Sequence, residues 1–303
     1  MSVAVIINPI SGGVRQNAAK LRAQIALEAV DRHGDSAEVF VTERQGHARE
    51  LARAAAKRGV RLVLAWGGDG TINEVATALA FGDVPLGIVP AGSGNGLATE
   101  LGVDRRPEMA IASALRAEPR LIDLGDIGGH LFANIAGIGI DAYVAAQFND
   151  PANLRRGFLT YARITGRALF TYAPSEYRVS YEGAEAGSRA RVARRAVIVS
   201  IANGAQFGNN ARIAPGARLD DGLLDLVVVE ESSRIGTLLQ MRRLFNGTAE
   251  QVPGCSVTRI RSATIESAQA MTFHADGESV MAGTSVKVRV HPGALWIAAP
   301  PLG

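Results

Sequence analysis

The sequence predicts an N-terminal doubly wound α/β domain followed by a mainly antiparallel β domain. Three observations carry this. Over about the first 120 residues, short apolar runs alternate with stretches of helical period joined by short loops, the pattern of a parallel sheet covered by helices. After about Leu121, short strands separated by glycine-rich turns dominate, as in an antiparallel β domain. Between strand and helix in the first half stands Leu62-Val63-Leu64-Ala65-Trp66-Gly67-Gly68-Asp69-Gly70-Thr71-Ile72-Asn73-Glu74-Val75. There an apolar run stops at a glycine corner, and Ile72, Val75, Ala76 and Leu79 then recur at helical spacing.

Taken in order, Val3 to Ile7 is a buried strand and Asn8-Pro9-Ile10-Ser11-Gly12-Gly13 a loop. Residues near 17–32 carry helical periodicity through Leu21, Ile25 and Ala29. Ala37 to Val41 is a second strand ending at Thr42, and Gly46 to Arg58 an alanine-rich helix. The strand 61–66, the glycine turn with Thr71 near its N-cap, and a helix to about Ala80 follow. Pro85 to Val89 is a fourth strand running into Pro90-Ala91-Gly92-Ser93-Gly94-Asn95-Gly96, and 107–117 is helical. The loops at Asn8, Thr42, Gly67 and Pro90 all leave carboxyl ends of strands, where ligands bind in such sheets. The β domain reads as strands at 121–127, 131–136, 176–182, 190–202, 223–229, 256–266, 271–275 and 284–290, with a helical insertion at about 151–172. The domains are expected at 1–122 and 123–291. The last strand, Ala294 to Ala298, is open to either, and 292–303 is a candidate to complete the first.

Bulk properties narrow the function. With 47% hydrophobic and 20% charged residues the composition is that of a soluble globular protein. A net charge of +3 without a Lys/Arg run interleaved with aromatics gives no nucleic-acid footprint. Cys255 is the single cysteine, which excludes an intrachain disulfide and a cysteine zinc site and fits a reducing cytoplasm. The N-terminus lacks the basic region and apolar length of a signal peptide. No uncharged apolar stretch reaches about 18 residues, so contact with lipid is expected to be peripheral.

Four stretches carry chemistry. In the 67–71 turn, glycines permit close approach of a ligand, and a helix start favours a phosphate. An acid there, Asp69, suggests a metal bridge or a contact to nucleotide hydroxyls; a plain strand-to-helix turn is the alternative. Leu219-Asp220-Asp221-Gly222-Leu223-Leu224-Asp225 sets acids around a turn. Asp220 and Asp225, with a carbonyl between them, are oxygen ligands of the kind Mg²⁺ takes; an Asp-Gly turn opening a strand is the alternative. His274-Ala275-Asp276-Gly277-Glu278 puts two acids at a glycine turn, which is either a site or a solvated hairpin corner. Gly137-Ile138-Gly139-Ile140-Asp141 is a glycine-rich strand end, read as a bulge or close packing.

Together these pieces resemble the diacylglycerol kinase catalytic family of lipid kinases, with its sphingosine and ceramide kinase relatives. The matching residues are Asn8-Pro9 with Ser11-Gly12, Gly67 to Thr71 with Asn73-Glu74, Pro90 to Asn95, the Asp220/Asp225 turn, and Asp276-Gly277-Glu278. They occur in the family's order and span nearly the whole chain. The resemblance implies ATP and Mg²⁺ as co-substrates, and an α/β domain and a C-terminal β-sandwich facing each other across the active-site cleft. It implies nucleotide contacts from Asn8, Thr42, Gly67, Gly68, Asp69, Gly70, Thr71, Ile72, Asn73 and Ser93. It implies a structural Mg²⁺ on Asp220, the Leu223 carbonyl and Asp225, with Asp276 as general base, Glu278 orienting the base or metal, and Asp69 acting through Mg²⁺ on the transferring phosphoryl. The chain lacks the Gly-x-x-x-x-Gly-Lys-Ser/Thr of P-loop kinases. Many bacterial members carry Gly-Thr-x-Asn-Asp after the fourth strand; Gly92-Ser93-Gly94-Asn95-Gly96 is closer to the sphingoid and ceramide branch and replaces the final acid by Gly96.

The expected activity is therefore transfer of the ATP γ-phosphoryl to the hydroxyl of a lipid alcohol such as diacylglycerol or a sphingoid or ceramide lipid, in phospholipid metabolism. An enzyme resembling NAD kinase, which shares the Gly-Gly-Asp-Gly-Thr turn, is one rival. A non-catalytic lipid- or nucleotide-binding protein on the same scaffold is the other. The expected location is cytoplasmic and peripheral to a membrane, with no nucleic-acid partner and a homodimer left open. The membrane contact is expected at 151–172, which holds no acid. There Leu154, Phe158, Tyr161 and Ile164 share one helical face and Arg156, Arg163 and Arg167 another, a basic amphipathic pattern; packing of the apolar face on the β domain is the alternative.

Overall fold

The computed structural model describes residues 2–13, 17–149, 158–185, 187–206, 212–231, 248 and 251–301. The chain divides into two compact units, Met1–Ile122 with Gly293–Gly303, and Asp123–Pro292.

In unit 1 the strands are β1 (Ser2–Ile7), β2 (Ser36–Val41), β3 (Leu62–Gly67) and β4 (Leu86–Pro90). They pair in parallel in the order β2-β1-β3-β4. The last residues of a late strand, β14 (Ser285–Ile297), add to β4 in parallel through Ile297 and Leu86. The helices are α1 (Ala18–Asp31), α2 (His47–Lys57), α3 (Asp69–Leu79), α4 (Gly96–Glu100) and α5 (Pro107–Arg116). Both faces of β1 and β3 are buried because the residues from Val3 to Ile7 and from Leu62 to Trp66 are all apolar. Val3, Val5, Leu62, Leu64 and Trp66 pack with Ala26 of α1 and Ile111 of α5, while Ala4, Ile6, Val63 and Ala65 are also fully or almost fully buried. Near-continuous apolar strands are what a sheet covered on both faces requires. Pro107 at the first turn of α5 fits a helix start, where its missing N–H is no loss.

Unit 2 is antiparallel. It holds β6 (His130–Phe132), β7 (Ile135–Gly139), β8 (Ser175–Gly183), β9 (Arg189–Ala202), β10 (Leu224–Glu230), β11 (Cys255–Ser267), β12 (Thr272–Ala275) and β13 (Glu278–Met281), and most of β5 (Arg120–Ile127) and β14. Two long strands each serve three partners. β9 pairs with β8 over its first half and with β10 and β7 over its second. β11 pairs with β10 and then with β8 and β14. Long strands that pass from one sheet to the other make the corners of a sandwich. Leu224, Leu226 and Val228 of β10 enter the core with Phe273, Val286 and Val288. Val227 and Val229, one residue out of phase, face a second cluster with Ile140, Val144, Ile164 and Ala168.

Those last residues belong to α6 (Ile140–Asn149) and α7 (Phe158–Thr171), and here the sequence reading needs correction. It places a strand end at 137–141; β7 stops at Gly139 and a helix starts at once. It expects one strand over 131–136; the structure has two, broken at Ala133-Asn134. It separates 284–290 from 294–298; these are one strand, β14. The insertion predicted at 151–172 is helical where described, from Phe158, while 151–157, with Leu154 and Arg156, lie outside the described residues. The backbone at Phe158 and Tyr161 is helical, but their side chains lie outside the described ones. Ile164 is buried in the second cluster, and Arg163 and Arg167 are exposed. Among the described residues no helix is long and apolar enough to cross a membrane.

Candidate active site

Three loops at the carboxyl ends of β1, β3 and β4 are laced together in unit 1. Asn8 follows β1, and its side-chain amide donates to Thr71 Oγ1 at 2.9 Å. The Ser11 hydroxyl accepts the Gly68 N–H at 3.2 Å. Arg22 of α1 donates to the Asn8 and Ser11 carbonyls at 2.6 and 2.7 Å, holding the first loop down. Asp69 makes the third link. It is the first residue of α3, with Gly68 rather than Thr71 at the N-cap. Its Oδ2 accepts the Asn95 N–H at 2.9 Å and its Oδ1 the Gly96 N–H at 2.7 Å. The acid thus closes the start of α4, where negative charge is favourable. Asn95, in the left-handed region at φ 53°, folds its amide back onto Gly92 N–H and C=O at 2.8 Å each.

The glycines are required by this lacing. A Cβ on Gly92 would stand 2.7 Å from the Gly68 Cα, and one on Gly94 would stand 2.7 Å from Asp69 Oδ2. The remaining predicted nucleotide contacts have mixed settings. Thr42 is buried, with its N–H donating to Ile7 C=O at 2.9 Å. Gly67 packs against the Thr71 side chain. Gly70 lies in the first turn of α3, Ile72 and Asn73 are buried in that helix, and Ser93 is exposed at the loop tip. Glu74, in the same motif, turns away to accept the N–H groups of Gly46, Ala48 and Arg49 at 2.8, 3.1 and 3.4 Å, capping α2.

In unit 2, Asp276 and Gly277 form a two-residue hairpin between β12 and β13, with φ of 47° and 86°. Two consecutive positive φ values make a type I′ turn, for which Asp-Gly is a preferred pair. The Asp276 carboxylate reaches back to the break between β6 and β7. It accepts N–H bonds from Ala133 at 2.7 Å and from Asn134 and Ile135 at 3.0 Å each. That is the physical reason 131–136 is not one strand: three of its amides point at a carboxylate. Buried Asn203 fixes this segment, donating to Ala133 C=O at 2.7 Å and to Asp123 C=O at 2.9 Å. Glu278 opens β13 opposite Ala275.

The 219–225 turn is held by Asp123, whose Oδ2 accepts the Gly222 N–H at 2.6 Å and whose N–H donates to Leu219 C=O at 2.6 Å. Asp221 accepts the Leu223 N–H at 3.0 Å and pairs with Arg259. Asp220 lies toward Arg218 at 3.5 Å. Asp225 is buried, and desolvation pushes its carboxyl up to about 6; Arg259 opposes this and the Asp221 charge adds to it. A buried carboxylate short of compensating charge, beside a turn of oxygen atoms, fits a hard cation. Among the described residues no three His, Cys, Asp or Glu side chains come together.

Comparison with known proteins identifies the arrangement. Residues 2–127 match the diacylglycerol kinase catalytic domain, and residues 134–299 match the YegS C-terminal NAD kinase beta sandwich-like domain. A Chromohalobacter salexigens protein named "probable lipid kinase YegS-like" is 31% identical over 91% of this chain and 88% of its own. The chain belongs to the YegS-like lipid kinases. A Mycobacterium tuberculosis protein named diacylglycerol kinase is 28% identical over 98% of this chain and 95% of its own. The fold is shared with a diacylglycerol kinase crystal structure from Bacillus anthracis, at TM-score 0.72 and 22% identity, covering 99% of this chain and 97% of that one. This YegS-like chain is thus an enzyme, a lipid kinase with the catalytic and β-sandwich domains of that family.

Sequence reasoning missed four residues that shape these turns in the YegS-like chain. Asp123 and Asn203 carry no local motif, since their partners lie 70 to 99 positions away. Asp141 and His274 lie inside quoted stretches, but nothing in their spacing of 133 positions announces that they meet.

Proposed function

We propose that this lipid kinase transfers the γ-phosphoryl of ATP to the hydroxyl of a lipid alcohol, diacylglycerol or a sphingoid or ceramide lipid. The observation that carries the reading is the lacing of the Asn8, Gly67–Thr71 and Gly92–Gly96 loops by Ser11, Asp69 and Asn95. It makes one preorganised backbone surface at the carboxyl ends of parallel strands, where ligands bind in α/β sheets. Phosphoryl transfer is mostly positioning and charge stabilisation, which rigid backbone donors supply without reorganising. Asp69 holds this surface together, and its charge would act with a bound Mg²⁺ in offsetting the transferring phosphoryl.

Asp276 takes the proton of the lipid hydroxyl. Three N–H groups aimed at its carboxylate fix the orientation in which it meets the acceptor, and Glu278 orients it from the next strand. Phe273 of β12 and Val280 and Met281 of β13 also line a cavity of about 1210 Å³ in unit 2, whose wall mixes Tyr181, Val286 and Val288 with charged residues such as Asp126, Arg189 and Lys287. The match to the diacylglycerol kinase catalytic domain and to lipid kinase relatives supports a lipid acceptor rather than a nicotinamide nucleotide. Asp220, the Leu223 carbonyl and Asp225 would hold Mg²⁺, which when bound supplies charge that offsets the buried Asp225 carboxylate. The exposed Arg163 and Arg167 support peripheral contact with an anionic membrane.

The test is ADP release with ATP and Mg²⁺, measured with dioctanoylglycerol, sphingosine, ceramide or NAD as acceptor. The reading expects release that depends on a lipid alcohol. Release that depends only on NAD, or none with any acceptor, would overturn it.

A further inference from the structure

β12 pairs with β7 so that His274 stands directly opposite Gly137. Asp141, in the first turn of α6, reaches back over the same glycine. Its Oδ2 lies 3.4 Å from His274 Nε2, and both side chains are more than nine-tenths buried. A Cβ on Gly137 would stand 2.0 Å from Asp141 Oδ2 and 3.1 Å from His274 Nε2. The strand therefore lacks a side chain at the one place where the pair crosses it. Glycine weakens a strand interior and marks a close approach; here the approach is that of the pair.

The other ends of both residues are committed. Asp141 Oδ1 accepts the Ala142 N–H at 2.8 Å, which fixes the carboxylate at the helix start. His274 Nδ1 accepts the N–H of Gly277 at 3.4 Å. With Nδ1 as the acceptor the neutral ring carries its proton on Nε2, the nitrogen 3.4 Å from Asp141 Oδ2, a buried oxygen that has no other hydrogen-bond partner within reach among the described residues. The chain of contacts runs from α6 through the imidazole to the middle of the Asp276-Gly277 turn. A buried polar pair is weak evidence of stability, since apolar residues of similar size pack as well. What this pair does that apolar residues would not is grip the backbone of the turn.

We propose that Asp141 and His274 are positioning residues for the kinase reaction, Asp141 orienting the imidazole and the imidazole holding the Gly277 amide so that the turn presents Asp276 to the lipid hydroxyl. This rests on the reading of Asp276 as the general base.

The test has a spectroscopic and a kinetic arm. In ¹H–¹⁵N spectra of the full chain at neutral pH, His274 shows the Nε2–H tautomer, and Asp141→Ala turns it into a mixture. A wild-type ring protonated on Nδ1 overturns the pair whatever the enzyme does. With ATP, Mg²⁺ and the acceptor giving the fastest turnover, His274→Ala and Asp141→Ala each lower kcat by about 10- to 100-fold, the usual cost of losing a partner that orients a working group. KM for ATP stays within twofold. The double variant is no slower than the poorer single one, because residues acting as one unit are not additive. His274→Asn, whose side-chain oxygen can still accept the Gly277 N–H, recovers most of the loss. Unchanged kcat in His274→Ala, or losses that multiply in the double variant, overturn the proposal. If an alanine variant does not fold, His274→Leu and Asp141→Asn carry the same cycle with the same criteria. Asp276→Asn, assayed alongside, separates the two readings. Wild-type turnover in that variant refutes the base, and the tautomer then decides the pair alone. Loss of turnover there with full activity in His274→Ala refutes only the pair.

Discussion

The Asp276 carboxylate accepts three backbone N–H bonds, whereas Asp225, 5% exposed in the same unit, is pushed up to about 6 by burial. Both are acids at or beside glycine turns, and in sequence they look alike. The fold meets the charge of Asp276 with its own amides and sets the Arg259 charge against the burial of Asp225. On the proposed reading the first acid is the base and the second a cation ligand. Asp69 falls on the side of Asp276, with each carboxylate oxygen accepting a backbone N–H.

The largest expected effect breaks the Asp276 half of this comparison. Asp276→Asn should lower kcat by about 10²- to 10⁴-fold, the contribution of a general base, while calorimetric ATP affinity stays within twofold. Equal losses in both would move Asp276 to the nucleotide or metal shell. Next is Asp69→Ala, which removes the clamp on Asn95 and Gly96. It should cost about 10²-fold in kcat/KM and also weaken ATP binding, the reverse of the Asp276 pattern. Near wild-type kinetics in a folded variant would contradict the role of this turn.

The Asp225 half is sharpened by pH. Its folded value, about 6, lies above the ordinary 3.8. Well below pH 3.8, at about pH 2.5, both folded and unfolded forms are protonated and the residue costs nothing. As pH rises toward 6 the unfolded chain ionises first and folded stability falls, and above 6 the full cost is on the order of 3 kcal/mol. Without divalent cation, Asp225→Asn should therefore melt several degrees above wild type at pH 7.5, with the difference closing as pH falls toward 3. Mg²⁺ should raise the wild-type melting temperature at pH 7.5 and leave the variant unmoved. A wild type indifferent to Mg²⁺ and EDTA would remove the cation from the account. The smallest effect concerns α7. Arg163→Gln with Arg167→Gln should weaken co-sedimentation with anionic vesicles by roughly 2 kcal/mol at low salt, about 1 kcal/mol for each Arg. Equal binding of wild type to neutral vesicles would place the membrane contact elsewhere.

Much of this was legible from sequence because it is local. The alternation of apolar strands with helical periods marked unit 1, and Gly67 to Thr71 and Pro90 to Asn95 marked its loops by composition alone. The break at Ala133-Asn134 was not legible, because its cause is an acid about 140 positions later in the chain. The start of α6 was hidden for a related reason. Gly137 and Gly139 look like strand glycines, and they are; the helix begins at the next residue, and Asp141 in its first turn accepts the Ala142 N–H and faces His274. Pro292-Gly293 has the composition of a turn between the strands expected at 284–290 and 294–298, yet one strand, Ser285–Ile297, runs through it. Glu74 was legible as part of a motif, but its use as the cap of α2 depends on Gly46, 28 positions earlier.

The central claim is that this fold passes a phosphoryl group from ATP to a lipid hydroxyl. The most direct measurement is label transfer from [γ-³²P]ATP, with Mg²⁺, into mixed micelles of dioctanoylglycerol, sphingosine and ceramide, with NAD present as a competing acceptor. The account predicts label in a lipid phosphate matched mole for mole by ADP, and none in the nicotinamide nucleotide. ADP without labelled lipid, or label in the nucleotide alone, would contradict it.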